Sequence, residues 1–337
     1  MTRFSRISAS IVTATATATA VLGLASHANA QAEDYPTQPI TIIVPFSAGG
    51  TTDILARTIA DRLGPALDAT VVVENRPGAG GTLGTTLAAQ AEPDGYTLFL
   101  AQVSSHGIAP NLYPDLQYDP VEDFDPIIYI ASIPNIMVVN PELPVETVDE
   151  FIAYAKEHPG EVNFASSGIG TSIHLSGEMF KDMAGIDMVH VPYAGSAPAV
   201  TALIAGQVDV MFDNMPSAFP QVQSGQLRAL AVTTAERSES APDIPTVAEA
   251  ATAVDLSDFE ATSWFALFAP EGTPEPIIEE LNTAVNEILD NPEVVTLLSD
   301  LGATPQGGTP ADLAQHVEAE LAKWKQVIED AGVTMNQ

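Results

Sequence analysis

The sequence predicts an α/β protein of two doubly wound lobes joined by a two-crossing hinge. Two observations predict it. A strand–loop–helix alternation runs from Pro39, stops, and restarts near Glu150, and two apolar, strand-like runs, residues 127–140 and 263–269, separate these blocks from each other and from a helical tail. Strands alternating with helices imply parallel sheets with helices on both faces. A chain that crosses twice puts its first block and its tail in one lobe and its middle block in the other, with a hinged cleft between them. The expected boundaries are 31–134 plus 264–337 for lobe 1 and 135–263 for lobe 2.

The first block opens on a β-branched run, 40–44, as in a buried parallel strand. The loop Pro45-Phe46-Ser47-Ala48-Gly49-Gly50-Thr51-Thr52 follows, and Leu55, Ile59 and Leu63 then recur on one helical face. Strand 71–74, loop 75–81 and a helix marked by Leu83, Leu87 and Ala91 come next, and Asp94-Gly95 turns the chain into strand 96–101. The second block repeats the pattern. Helix 150–156 is broken by Pro159-Gly160, strand 162–165 leads to the loop 166–171, and Leu175, Met179 and Met183 mark the next helix face. Strand 188–191, loop 192–196, helix 200–204 and strands 208–212 and 227–233 complete it. In the tail, Thr273-Pro274 and Thr309-Pro310 each set a cap residue before a proline at the first helical position, predicting helices over 274–290 and 310–331 with a short one over 292–301.

Composition narrows the function. Arg3 and Arg6 precede an uncharged Ala/Thr-rich run, 11–25, and Ala28-Asn29-Ala30 supplies small residues for cleavage. Residues 1–30 therefore read as a signal peptide removed after Ala30, and the periplasm is the expected compartment. The run is too short and too polar for a good membrane span of about 20 apolar residues. The two arginines are not adjacent, so the twin-arginine route is not indicated. The chain has no cysteine, which excludes disulfides, thiolate metal sites, a cysteine nucleophile and a lipid-modified cysteine. It carries 44 acidic against 11 basic residues, and losing Arg3 and Arg6 would take the formal charge from −33 to −35. Nucleic acid, which demands clustered Lys and Arg, is a poor partner, and so is an anionic membrane surface. An apolar fraction of 46% is too high for a disordered polyanion. The balance suits a solvated acidic shell that works in a salty exterior, where screening is short-ranged.

In parallel α/β sheets, ligands bind beyond the carboxyl ends of strands. Those positions carry loops rich in Gly, Ser and Thr here. Unpaired N–H groups at a helix start, together with the positive end of its dipole, suit an anion. Gly49, Gly50, Gly168 and Gly170 allow close approach of the backbone, and Ser47, Thr51, Ser167 and Thr171 add hydroxyl donors. Turn geometry alone also favours glycine, but similar loops in both lobes would give a cleft donors on each wall. Asp53 either stabilises the helix dipole or accepts from a ligand. Asp213 and Asn214 either cap the helix holding Ser217 or face the cleft. Tyr193 is a lid aromatic or packs. His106 and His174 follow candidate cleft loops as structural hydrogen-bonders or ligand contacts. No nucleophile elbow, zincin, P-loop or dinucleotide motif is present, so no catalytic residue, metal or cofactor is expected.

Several segments in fixed order then resemble one family. They are Ile43-Val44-Pro45-Phe46-Ser47-Ala48-Gly49-Gly50-Thr51-Thr52-Asp53, Val73-Glu74-Asn75-Arg76-Pro77-Gly78-Ala79-Gly80-Gly81 and Pro93-Asp94-Gly95-Tyr96-Thr97-Leu98. Ser167-Gly168-Ile169-Gly170-Thr171, His190-Val191-Pro192-Tyr193-Ala194-Gly195, Leu230-Ala231-Val232-Thr233 and Ala269-Pro270-Glu271-Gly272-Thr273-Pro274 continue the series. The chain resembles the substrate-binding proteins of tripartite tricarboxylate transporters, the TctC or Bug family, over nearly all of the mature length. The resemblance implies a type II periplasmic-binding fold that closes on a small carboxylate, delivery to a large and a small integral membrane subunit, and a monomer. It implies a carboxylate grip by Phe46, Ser47, Ala48, Gly49, Thr51 and Asp53, opposed by Ser167, Gly170 and Thr171, with Tyr193 and Asp213 at the far end. Ala194 stands where many relatives carry Lys, and Thr51 where a third Gly is common. Presentation of the bound solute to a membrane sensor kinase is the alternative function, and an exported hydrolase the remote one.

Overall fold

The computed structural model describes residues 35–331 and 334, so the expected signal peptide, residues 1–30, lies outside the described residues. β1 (Ile40–Val44) is almost wholly buried and pairs in parallel with β2 (Val71–Asn75) and β3 (Thr97–Gln102). α1 (Thr51–Ala66) connects β1 to β2 and buries Leu55, Ile59 and Leu63, the face expected from their spacing. α2 (Thr82–Ala89) differs from expectation. Leu83 and Leu87 are 51% and 43% exposed, and the buried face is Gly84, Thr85 and Ala88. A Cβ at Gly84 would meet the Pro45 backbone at 2.8 Å, so the small-residue face takes the close contact and turns the leucines outward.

β4 (Phe124–Val139) organises the molecule. Its residues 124–134 pair with β9 (Thr262–Pro270), and residues 135–139 pair with β7 (Val210–Asn214) and, through a bulge, β8 (Arg228–Val232). Pro134 does not end the strand because it sits at the change of partner, where no ladder N–H is demanded of it. The strands β5 (Val162–Ser166) and β6 (Met188–Pro192) extend the second sheet in parallel from β7, giving the order β2-β1-β3-β9-β4-β7-β5-β6. The sheets are therefore mixed, not purely parallel as the alternation suggested. Each crossing strand runs against its neighbours because β4 enters lobe 2 as β9 returns to lobe 1, and the two pair antiparallel.

After β3 a wide turn, Ser104–Ile108, leads into α3 (Ala109–Leu112). α4 (Val148–Glu157) begins with a full capping box between Thr147 and Glu150. α5 (Ser172–Ala184), α6 (Ser196–Ile204), α7 (Met215–Gln223) and α8 (Val247–Ala250) complete lobe 2. The tail forms α9 (Glu275–Leu289), α10 (Pro292–Asp300) and α11 (Pro310–Ala331), close to expectation. α9 starts one residue late. Pro274 holds the cap position, and the Thr273 hydroxyl donates to Pro270 O at 2.7 Å instead. A short strand, β10 (Thr304–Gly307), adds to β4 and was not expected, being polar and brief. Among the described residues no helix is long and apolar enough to cross a membrane.

The two crossings are tied together by one fully buried side chain. Thr233 Oγ1 donates to Ala261 O at 2.6 Å and receives the Asn135 N–H at 2.9 Å, and its backbone N–H bonds Asn135 O while its carbonyl receives the Ala261 N–H. Beside it, Asn135 Oδ1 accepts from Asn214 Nδ2 at 2.5 Å and from Ser263 Oγ at 3.2 Å, and Ser263 Oγ lies 2.8 Å from Ser172 Oγ. Buried polar groups that satisfy one another in this way fix a unique geometry at the crossing point.

Candidate functional site

The loop after β1 meets lobe 2 directly. Ser47 N–H and Ser47 Oγ donate to Ala194 O at 3.3 and 3.0 Å, and Thr51 Oγ1 donates to Ser217 Oγ at 3.1 Å. A Cβ at Gly50 would touch Ser196 Cβ at 3.4 Å, and one at Gly195 would come within 2.9 Å of Ser47 N. The start of α1 thus faces the start of α6. Both helices begin at a glycine cap, Gly50 and Gly195, and neither has a side-chain cap. Each leaves first-turn N–H groups without intrahelical acceptors, and the positive ends of two helices from different sheets converge.

The other expected loop of lobe 2 lies further along the same edge. Tyr193 N–H donates to Ser166 O at 3.0 Å, which joins the 166–171 loop to the 192–196 loop. Across the interface this loop meets Gly80 and Tyr113, whose hydroxyl donates to Ile169 O at 2.9 Å. Gly80 has φ +64°, and a side chain there would collide with Ile169 O and the Tyr113 hydroxyl. Ser47 and Thr51 therefore stand opposite Ala194, Ser196 and Ser217, while the loop that carries Ser167, Gly170 and Thr171 meets Gly80 and Tyr113 through Gly168, Ile169 and Gly170, and Ser104 Oγ accepts the Ser172 N–H at 3.2 Å.

Several expected residues are already engaged. Asp53 accepts from Gly49 N–H, from Asn75 Nδ2 and from two nitrogens of Arg57, each at 2.9 Å. Burial pushes its carboxyl up, but these bonds outweigh burial and hold it below its usual value. Asp53 thereby shapes the Ser47–Gly50 loop, and Gly49 N–H is spent on it. Thr171 caps α5, accepting from His174 N–H and donating to Gly168 O at 2.8 Å. Phe46 is buried with its ring beneath Gly81, whereas Ala48 and Gly49 are exposed at the edge. Tyr193 is half-buried.

Asp213 closes the far side. It is fully buried and receives Ser196 Oγ at 2.7 Å and Ser217 Oγ at 2.5 Å. Burial pushes its carboxyl up to about 6, against the hydroxyls and the Asn214 N–H that favour its charge. Gly195, Ser196 and Ser217 are not among the ligand-binding residues expected from the sequence. Gly195-Ser196 has the same grammar as Gly50-Thr51, a glycine cap followed by a hydroxyl residue, and that signal could have found them.

The histidines that follow the expected loops, His106 and His174, are buried. His174 Nδ1 accepts from Gly170 N–H, His190 Nε2 lies 2.6 Å from Ser166 Oγ, and the two rings pack at 4.0 Å, tilted by 30°, under the 166–171 loop. Burial, then His190 and Lys181, pushes His174 down to about 3, and burial, then Lys181, pushes His190 to about 4. His106 packs among Phe99, Phe124 and Phe268 in lobe 1. Among the described residues no group of three or more His, Asp or Glu converges as metal ligands.

Two lobes on crossing strands, with uncapped helix starts and hydroxyls facing each other, define a solute receptor of the periplasmic-binding type. The profile described as tripartite tricarboxylate transporter family receptor matches residues 55–333. The protein BugT of Bordetella pertussis (strain Tohama I) is 39% identical over 309 residues, 91% of this chain and 94% of BugT. The R. palustris protein Rpa4515, solved with adipate, is 41% identical with a TM-score of 0.86, over 89% of this chain and 99% of that one. MatC (Rpa3494) of Rhodopseudomonas palustris, solved with bound malate, is 38% identical with a TM-score of 0.82, over 87% and 100%. The chain belongs to the tripartite tricarboxylate transporter receptor family.

Proposed function

We propose that the protein is a periplasmic receptor that captures a small carboxylate between its lobes and delivers it to the membrane subunits of a tripartite tricarboxylate transporter, without chemical turnover. The lobes are 31–134 plus 264–337 and 135–263, and the exported chain begins after Ala30. The observation that carries this reading is the meeting of two glycine-capped helix starts, Gly50 of α1 and Gly195 of α6, with no side-chain cap on either. A carboxylate between them accepts main-chain N–H groups from both lobes, and its affinity for the closed arrangement supplies the free energy that shifts the population from open to closed. Local donors in a closed, low-dielectric cleft outweigh the distant, screened acidic surface. Ser47, Thr51, Ser196 and Ser217 supply hydroxyls beside this point. Ala48, Gly49, Ser167, Gly170, Thr171 and Tyr193 continue the lining toward Gly80, with Phe46 and Asp53 holding the first loop in shape and Asp213 orienting the hydroxyls of the far end. The chain acts as a monomer. Relatives solved with adipate and with malate support the carboxylate class. A thermal-shift screen of carboxylic acids on the mature chain tests this. A rise in melting temperature with one acid class supports it, and indifference to every carboxylate tested contradicts it.

A further inference from the structure

Away from the cleft, a groove of about 780 Å³ runs between α5 of lobe 2 and α11 of lobe 1, floored by Ala261 and Thr262 of the second crossing. One wall is lined by Met179, Met183 and Ile186 and the other by Trp324, Val327 and Ile328; Met179, Met183 and Val327 are half-buried, and the other three are buried beneath them. Met179 and Met183 are spaced i and i+4 on α5, with Ile186 just past its end, and Trp324, Val327 and Ile328 are spaced i, i+3 and i+4 on α11, so two apolar stripes face each other across an open trough. Methionine is an adaptable contact residue, and tryptophan a frequent anchor at interfaces.

The rim has one sign of charge to offer. Lys181 is paired with Glu178 at 2.5 Å, and Lys323 with Glu320 at 3.5 Å. Asp182, Asp258 and Glu260 line the groove, are exposed, and make no ion pair among the described residues. Acidity alone would single out no face of this chain, but here it borders an apolar floor. We propose that this groove docks an amphipathic helix with basic flanks, supplied by a protein partner, its apolar face laid on the methionine and tryptophan stripes and its Lys or Arg side chains against Asp182, Asp258 and Glu260. The two walls come from different lobes, so the trough has this shape only in this arrangement of the lobes. A partner seated in it reads this arrangement.

The test uses a leucine–lysine amphipathic peptide of ~18 residues, five helical turns, and the mature chain, which has two tryptophans, both buried: Trp264 on β9 and Trp324, whose edge lines the groove. Saturable one-to-one binding, read by calorimetry, is expected. Met183→Asp should weaken it about tenfold or more. Asp258→Lys with Glu260→Lys, on exposed positions that do not threaten the fold, should weaken it several-fold at low salt. Reversal of exposed acids outside the groove, Glu157→Lys with Glu287→Lys, should leave it unchanged. Absence of saturable binding, equal binding by Met183→Asp, or equal loss on the distant reversals would overturn the proposal.

Discussion

Thr51 and Ser217 share a hydrogen bond of 3.1 Å that joins the first helix of lobe 1 to lobe 2, and Ser217 passes it on to the buried carboxylate of Asp213. The chain Thr51–Ser217–Asp213–Ser196 thus ties both walls of the interface to one acidic group. Thr51→Val removes the donor and keeps the shape. It is expected to weaken carboxylate binding by about 1 kcal/mol, roughly fivefold, with little change in melting temperature. Calorimetry on the two proteins checks this, and equal affinities would remove Thr51 from the closing contact.

Closure depends on backbones that touch. Gly80, at φ +64°, lies where a Cβ would collide with Ile169 O of the other lobe. Gly80→Ala should hold the lobes apart and weaken solute binding about tenfold or more, while lobe 1 itself is strained only modestly, by about 1 kcal/mol. Small-angle scattering with saturating solute reads this directly. The variant should stay expanded where the wild type contracts.

The elements were largely legible in the sequence, and their meeting points were not. Periodicity found α1 through Leu55, Ile59 and Leu63, and prolines located α9, α10 and α11 within a residue. It misjudged α2, because which face is buried depended on the approach of Gly84 to Pro45, a contact between distant segments. The loops 45–52 and 166–171 were both identified, but not that Ser47 would face Ala194 and Ser196. Loop chemistry is local, whereas the angle between lobes is set by the partner change in β4 and the Thr233 clamp, neither of which leaves a local signature.

Acidity acts on two groups in opposite directions. His174 and His190 are held neutral, well below their ordinary 6.5, so their contribution is intact above that value and is lost as pH falls toward about 3 to 4. Asp213 is raised to about 6 from an ordinary 3.8, so its buried charge penalises the fold above about 6 and the penalty fades as pH falls toward 3.8. Asn in place of His190 should flatten the acid limb of a melting-temperature profile between about pH 6 and 4. An unchanged acid limb would show that this histidine is not the group titrating.

An anion entering beside Asp213 raises that carboxyl further, so solute capture near neutral pH should draw in protons. The affinity of a bound carboxylate is expected to fall as pH rises through about 6, and Asp213→Asn should lose that slope. Calorimetry in buffers of different ionisation enthalpy measures the proton uptake. A buffer-independent heat would contradict it.

The net charge of −33 predicts strong self-repulsion in dilute buffer. The melting temperature should climb as salt rises from ~10 mM toward ~1 M, as the Debye length falls from about 30 to 3 Å. Indifference to salt would mean that the acidic shell carries no folding cost.

The most direct test compares a carboxylic acid that raises the melting temperature with its own methyl ester, by calorimetry on the mature chain. Helix starts that hold an anion require the free carboxylate, so the ester should bind at least about a hundredfold more weakly. An ester that binds as well as the acid would contradict a site built from the facing amides of α1 and α6.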